Sequence, residues 1–261
     1  MSDLPAAPPP PPTAQPTRDD VLVSSAGPGW QFAELIVEIA QYARRPSFTL
    51  PPLRGNVGGF VGRMVAIDIV IRIGVIWLTL LGTSILDATS ILEEEPLEPL
   101  ALFFLAVVAA PLIEETAWRL QLHPWSQWRF WVATLVWLAF GASALFSGEA
   151  VEWQMWMVVV WPVAFIVWRL TSSGERAARV WQQRQSWIIW ICVFGFALAH
   201  VSNFTIPAND WRLAVVLLLV VPQLIGGLLI TYTRVRAGYW AGVAHHAIGN
   251  AVLVVPAIVA G

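Results

Sequence analysis

The sequence has one cysteine, no lysine and few charged residues, and each shortage excludes a class of protein. Cys192 alone cannot form an intramolecular disulfide, so disulfide bonds do not hold the fold together. It lies in an apolar run, where we expect a small buried hydrophobic side chain. All 15 basic residues are arginine and the net charge is only −2. No basic cluster is dense enough to follow a phosphate backbone, so nucleic acid is not expected as a partner.

Hydrophobic residues make up 57% of the 261 residues, charged residues only 12%, and the mean hydropathy is +0.65. Soluble domains have about 45–50% apolar and about 25% charged residues. The composition therefore indicates a protein surrounded by lipid, in which helices satisfy their own backbone hydrogen bonds. We expect an all-α fold, a polytopic transmembrane helical bundle.

Three regions follow one another along the chain. Residues 1–28 contain five consecutive prolines at positions 8–12 and show no apolar periodicity, which predicts a disordered tail rather than a signal peptide. Residues 29–58 contain an amphipathic helix over positions 30–45, followed by a linker. This helix lies along the membrane surface or packs on the inner end of the bundle, and the sequence favours neither position. Residues 59–261 form the transmembrane domain.

The transmembrane domain contains seven hydrophobic segments, most of which approach the roughly 20 residues that a crossing needs. The last one is the clearest, because positions 237–261 lack Arg, Asp and Glu. The first is the weakest, because charged residues interrupt it. Among these, Asp68 and Arg72 stand four apart and are expected to form an ion pair within the helix. The segments lie near positions 64–86, 99–121, 130–148, 153–169, 186–206, 213–233 and 238–260.

Arginines and acidic residues alternate between successive loops, and this pattern predicts the orientation. Arginine-rich loops face the cytoplasm by the positive-inside rule, which puts the N terminus in the cytoplasm and the C terminus outside a cell membrane. Arginines lie before the first crossing and in loops two, four and six: Arg18, Arg44, Arg45, Arg54, Arg63, Arg129, Arg169, Arg176, Arg179, Arg184, Arg234 and Arg236. The alternate loops carry a single arginine, Arg212, and otherwise acidic residues: Asp87, Glu93, Glu94, Glu95, Glu98, Glu149, Glu152 and Asp210.

Two adjacent carboxylates stand in the second crossing. An acidic residue at the centre of a membrane helix costs roughly 2.5–3.5 kcal/mol, so a pair of them calls for a specific role. Glu115 stands four residues before Arg119 and is expected to pair with it as structural support. Glu114, rotated by about 100°, has no partner in its own helix and needs one from elsewhere.

Three of the four histidines lie within predicted crossings. His200 lies in the fifth, and His246 lies in the seventh with Asn250 one turn further on the same face. At a rise of 1.5 Å per residue, Glu114, His200 and His246 are all expected to lie in the cytoplasmic half of the bundle, where their side chains can meet. His245 points elsewhere, and we expect its replacement by alanine to be nearly silent.

The order of these residues resembles a known family of membrane peptidases, the CAAX-protease and bacteriocin-processing family. The resemblance covers about positions 97–254, and each motif is weak alone. Two departures, Trp118 and Leu120, stand where many members have Phe and Gly, and they affect packing rather than a catalytic group. The motifs are Glu114-Glu115-x-x-x-Arg119, preceded by Ala110-Pro111, then Phe196-x-x-x-His200, then His246-x-x-x-Asn250.

The resemblance implies an intramembrane endopeptidase that forms no covalent intermediate. Glu114 and His200 would activate a water, and His246 and Asn250 would hold the developing oxyanion. Such a division of roles is chemically sound, because a carboxylate and an imidazole can share one water and fixed donors stabilise an oxyanion. The expected partner is a membrane-associated peptide or protein substrate, besides the lipid bilayer. The sequence predicts neither the identity of this substrate nor the oligomeric state.

Zinc is the alternative to a metal-free mechanism, with Glu114, His200 and His246 as its ligands. The sequence favours no cofactor for three reasons. It has no H-E-x-x-H helix, each ligand comes from a different crossing, and no further carboxylate stands beside either histidine. In addition, Asn250 is a poor zinc ligand but a good donor to an oxyanion.

Two other functions compete with peptidase activity. A non-catalytic membrane-binding or bacteriocin-immunity protein would keep the polar cluster for helix packing, but packing alone does not require Glu114, His200 and Asn250 together. A proton-coupled transporter also needs buried Glu and His, but the sequence shows no inverted repeat with two broken helices.

Overall fold

The computed structural model describes residues 28–51, 53, 55–90, 97–124, 126–146, 163, 166–205 and 215–260. The predicted tail, positions 1–28, lies outside the described residues except for Pro28, which begins a helix. Most of the predicted fourth crossing, positions 153–169, also lies outside them. The described part is almost entirely helical and includes one two-stranded ribbon, in which Thr89 pairs with Thr205 and Ser90 with Phe204. The all-α prediction is confirmed for this part of the chain.

Eight helical segments are named here in chain order. A 3-10 turn, His200–Asn203, follows α6, and the ribbon strands are β1 (Thr89–Ser90) and β2 (Phe204–Thr205). The helices are α1 Pro28–Arg44, α2 Val57–Leu86, α3 Pro99–Arg119, α4 Gln127–Phe146, α5 Gly174–Gln183, α6 Gln185–Ala199, α7 Val216–Ala237 and α8 Tyr239–Ala260. The chain divides into two compact units, Met1–Ala40 and Gln41–Gly261, and the second contains every candidate site residue. Helix α1, predicted over positions 30–45, begins in the first unit.

Four described helices are long and apolar enough to cross a membrane: α2, α3, α6 extended to Asn203, and α7. The weakest predicted crossing is thus the longest of them, since α2 has 30 residues and spans about 45 Å. Asn56 caps its start by accepting a hydrogen bond from the Gly59 amide, and Asp87 ends it in the left-handed conformation. The third and seventh predicted crossings correspond to helices α4 and α8, which are not among these four.

Helix α3 is irregular around the two glutamates. Its turns over Phe104–Ala109 and Glu115–Arg119 are π-helical, and the turns between them are α-helical. Pro111 lies between the π turns and has no amide hydrogen, so the helix loses one backbone hydrogen bond there. π turns of this kind are frequent at functional sites.

Helix α7 is the centre of the second unit and packs against α2, α6 and α8. Two adjacent glycines permit close contacts. A Cβ atom on Gly227 would lie 2.9 Å from the Phe196 ring, and one on Gly226 would overlap the Arg72 guanidinium. A side chain at Gly227 would displace the Phe196 ring, and one at Gly226 would displace the Arg72 guanidinium. The glycines therefore bring the helices that carry Phe196 and Arg72 close to α7.

Candidate active site

Three side chains from separate helical segments meet at one carboxylate oxygen. Oε2 of Glu114, on α3, lies 3.6 Å from Nε2 of His246 on α8 and 4.0 Å from Nε2 of His200 in the 3-10 turn. His246 is buried, whereas the side chains of Glu114 and His200 are 24% and 18% exposed. Oε2 of Glu114 is buried without a hydrogen-bond partner among the described residues. Three residues that the sequence places on separate helices therefore face one another.

The orientation of His200 follows from its backbone partner. Its Nδ1 atom lies 2.9 Å from the carbonyl oxygen of Phe196, one helical turn earlier. Because a carbonyl only accepts hydrogen bonds, Nδ1 carries the hydrogen, and in the neutral ring Nε2 keeps its lone pair. Nε2 of neutral His200 and the carboxylate of Glu114 are thus two hydrogen-bond acceptors that face each other.

Glu115 and Arg119 form the predicted pair, with Nη1 of Arg119 2.5 Å from Oε1 of Glu115, and both side chains are buried. Arg119 also donates from Nε to the Thr231 hydroxyl at 2.9 Å and from Nη2 to the carbonyl of Gly227 at 3.3 Å. These two hydrogen bonds to α7 fix the position of the guanidinium. Glu115 thus keeps its charge partner inside the helix bundle.

Glu115 has a second partner that the sequence analysis missed. Nδ1 of His246 lies 3.0 Å from the same Oε1 atom of Glu115. The expectation that no further carboxylate stands beside either histidine was wrong. A spacing of four residues predicts the partner of Glu115 within α3, but it does not predict which side of α3 faces α8. His246 therefore lies between two carboxylates, with Glu115 on Nδ1 and Glu114 on Nε2.

The Phe196 ring joins the two imidazoles and the guanidinium. It makes edge-on contacts with His200 and His246, with ring centroids 4.6 and 5.8 Å apart, and the Arg119 guanidinium lies 4.2 Å above it. A cation over an aromatic face at this distance is favourable, particularly away from water. The motif phenylalanine is therefore a packing surface that holds the polar groups in position.

The side-chain hydrogen bond of Asn250 is made to the backbone of α3, not to Glu114, His200 or His246. Its Nδ2 atom donates to the carbonyl of Ala106 at 2.8 Å. In the π turn the amide of Ala110 bonds to the carbonyl of Leu105, five residues earlier. The next bond in this register would join Pro111 to Ala106, and proline has no hydrogen to donate. Asn250 therefore supplies the hydrogen bond that Pro111 cannot make, and its amide has one further N–H.

A cavity of about 80 Å³ opens beside Glu114 and His200. It is large enough for water, which occupies about 30 Å³ per molecule in the liquid. Trp118, one of the departures from the family pattern, contributes to the wall together with Trp137, and their rings meet edge to face at 4.1 Å. The cavity is thus lined by both polar groups and aromatic rings.

The three candidate zinc ligands meet some requirements of a zinc site and fail another. Both histidines donate their other nitrogen to an outer partner, Glu115 or the carbonyl of Phe196, as zinc-bound imidazoles do. Ligand atoms about 2.0–2.2 Å from a tetrahedral zinc would lie roughly 3.3–3.6 Å apart, whereas the Glu114–His200 separation is 4.0 Å. No group of three His, Cys, Asp or Glu side chains in the described ranges is arranged to hold a metal ion.

Comparisons with known proteins assign no family to the chain. No family model, no curated protein and no solved structure matches the chain.

Proposed function

We propose that the protein is an intramembrane endopeptidase that hydrolyses a peptide bond of a membrane-associated peptide or protein. One observation carries the proposal, the pair of acceptors formed by Oε2 of Glu114 and Nε2 of His200, 4.0 Å apart beside a cavity. With the hydrogen of neutral His200 on Nδ1, its Nε2 atom and the carboxylate of Glu114 are both acceptors and do not bond to each other. Both can accept a hydrogen from one water molecule, and a single water bridges a gap of this size.

The water is the nucleophile in the proposed reaction. As its oxygen attacks the carbonyl carbon of the scissile bond, one proton passes to Glu114 as general base, and the other hydrogen stays on that oxygen and is donated as a hydrogen bond to Nε2 of His200. The tetrahedral oxyanion then collapses and the C–N bond breaks. Glu114 returns its proton to the leaving nitrogen, which gives a new carboxyl group and a new amino group. No covalent intermediate with the enzyme is needed.

His246 is the proposed donor to the oxyanion. Its Nδ1 donates to Glu115, so Nε2 is the atom that faces the reacting groups, and it donates when the ring carries both hydrogens. Fixed donors in a site of low dielectric are strongly stabilising. Asn250 is proposed as the second donor through the amide hydrogen that is not bonded to Ala106.

The site does not require a metal in this mechanism. If zinc binds, Glu114, His200 and His246 hold it, and the ion supplies a bound water that loses its proton near neutral pH. The 4.0 Å separation between Glu114 and His200 suits a bridging water better than a shared ion.

We also propose seven crossings of the cell membrane, with the N terminus in the cytoplasm and the C terminus outside. The proposal rests on the alternation of arginine-rich and acidic loops in the sequence. It places the carboxylate of Glu114 in the cytoplasmic half of the membrane.

The function is tested by comparing protein N termini in membranes from cells that express the wild type or Glu114→Gln. The glutamine has nearly the same shape but is not a base, so the variant is expected to fold and to leave the substrate uncut. New N termini in the wild-type membranes alone would identify the substrate. Identical N termini in both samples at equal expression would refute the proposal.

A further inference from the structure

A second buried histidine lies next to the site and takes no part in the proposed reaction. His245 is fully buried, and so are its two neighbours, Asp68 on α2 and Thr233 on α7. Nε2 of His245 lies 3.4 Å from Oδ2 of Asp68, and Nδ1 lies 2.8 Å from the Thr233 hydroxyl. Buried polar groups of this kind are costly unless they satisfy one another. Three buried polar side chains at this place therefore call for a role other than packing, which apolar side chains would provide at lower cost.

The two contacts of His245 differ. Nδ1 shares a hydrogen bond with the Thr233 hydroxyl, whereas Nε2 faces Oδ2 of Asp68 at 3.4 Å, and neither of these two atoms has a hydrogen-bond partner among the described residues. The Thr233 hydroxyl lies 3.0 Å from the carbonyl of Leu229, and it can donate there or to Nδ1. In both arrangements Thr233 on α7 holds the His245 ring, which faces Asp68 on α2.

Asp68 is itself held in place. Nε of Arg72 donates to its other oxygen at 2.8 Å, as expected from their spacing. The Arg72 guanidinium lies over Gly226, where even a methyl group would overlap it. The chain of contacts therefore runs from α2 through Asp68 to α8, with α7 supporting it at Gly226 and at Thr233.

His245 and His246 are consecutive residues of one helix, so their side chains leave the axis about 100° apart. One imidazole is hydrogen-bonded to Thr233 and faces Asp68, and the other lies between Glu114 and Glu115. Any rotation of α8 that moved His245 would move His246 as well. The contacts of His245 and those of His246 lie on two different faces of α8, so together they fix the rotation of the helix about its own axis at these residues.

We propose that Asp68 and Thr233 are positioning residues, which hold His246 in its catalytic orientation by fixing His245. The importance of that orientation rests on the function proposed above. The earlier expectation that His245→Ala is nearly silent changes accordingly, because the variant removes the group that both residues hold.

The test uses the ring nitrogens of the histidines as reporters. The chain has four histidines, so the protein labelled with 15N-histidine in lipid nanodiscs gives few signals, and each is assigned from a His→Gln variant. Thr233→Val removes the hydroxyl at constant size, Thr233→Ser keeps it, and Asp68→Asn removes the carboxylate charge. Thr79→Val is the control, because its hydroxyl joins two of the same three helices, α2 and α7, through the carbonyl of Leu219, at 3.3 Å.

We expect Thr233→Val and Asp68→Asn to shift the nitrogen signals of both His245 and His246. Thr233→Ser should restore the wild-type positions, and Thr79→Val should leave them unchanged. Displaced signals of His245 with unchanged signals of His246 in both variants would overturn the proposal. So would a Thr79→Val spectrum that matches that of Thr233→Val, because the effect would then be general loosening of the helices.

This readout needs no substrate, so it separates the positioning role from the peptidase reaction. If the signals behave as expected and no cleavage is ever found, the positioning stands and the peptidase function fails. With an identified substrate, Thr233→Val should lower kcat by up to about 10²-fold with an unchanged KM, since small displacements of reacting groups cost that much. A change in KM alone would contradict the proposed role.

Discussion

The Nδ1 atom of His246 lies 3.0 Å from Oε1 of Glu115, the carboxylate oxygen that also accepts from Arg119. This contact links the structural ion pair of α3 to a proposed catalytic imidazole. Glu115 thus has two tasks, whereas its sequence spacing indicates only one.

Replacement of Glu115 by glutamine should therefore lower both stability and activity. The variant leaves Arg119 buried without its counter-charge, which typically costs about 3–5 kcal/mol, and it weakens the acceptor for Nδ1 of His246. Thermal unfolding in detergent and a cleavage assay measure the two effects. Exposed Glu175, which faces Arg179 at 3.8 Å, offers a control, since Glu175→Gln should change neither. Full activity in a destabilised Glu115→Gln protein would remove Glu115 from the site.

The sequence predicts contacts within one helix better than contacts between helices. Asp68–Arg72 and Glu115–Arg119 form as expected, because a spacing of four residues fixes their distance in any α-helix or nearly α-helical turn. Contacts between helices depend on how each helix is rotated. The π turns of α3 change that rotation on both sides of Glu114, and nothing in the apolar pattern reports them.

The contact of Asn250 is a second case that could be explained but not predicted. The missing amide hydrogen of Pro111 is evident in the sequence, and it leaves one carbonyl without a donor. Which carbonyl this is depends on whether the local turn is α or π, and which side chain reaches it depends on the packing of α8. The hydrophobic segments, by contrast, follow directly from composition, and six of the seven overlap described helices.

A double variant can separate the two roles of Asn250. Asn250→Ala should destabilise the protein by leaving the carbonyl of Ala106 unpaired, at a cost of about 1–3 kcal/mol. Pro111→Ala restores a backbone hydrogen for that carbonyl, so the double variant should recover much of the lost stability. Thermal unfolding of the four proteins gives the coupling.

Activity of the same proteins decides between the roles. If Asn250 also donates to the oxyanion, the double variant stays slow by about 10²–10³-fold despite its recovered stability, the usual cost of one such donor. Recovery of activity together with stability would assign Asn250 to structure alone. No recovery of stability would contradict the pairing of Asn250 with the carbonyl freed by Pro111.

Exhaustive chelation should leave the purified protein active. The proposed water is activated by Glu114 and His200, so elemental analysis should find less zinc than one atom per chain. The control is the same preparation with zinc added back. Activity lost with the chelator and restored by one equivalent of zinc or cobalt would reassign Glu114 from base to ligand.

Cysteine labelling tests the proposed orientation. In a Cys192→Ala background, single cysteines at Ser90, Glu149 and Asn209 should react from outside the cell with a membrane-impermeant maleimide. A cysteine at Arg129 or Arg179 should react only after the membrane is opened, because arginine-rich loops face the cytoplasm. The reverse pattern would place the site in the outer half of the membrane.

The most direct test of the central claim is whether Glu114 and His200 act on one water as a unit. Wild type, Glu114→Gln, His200→Gln and the double variant are purified and incubated with membrane proteins from cells that carry Glu114→Gln. New N termini are counted over time. We predict that only the wild type produces them at an appreciable rate, and that both single variants are as slow as the double variant, since groups that act together give non-additive losses. Full activity of Glu114→Gln, or losses that multiply in the double variant, would contradict the account.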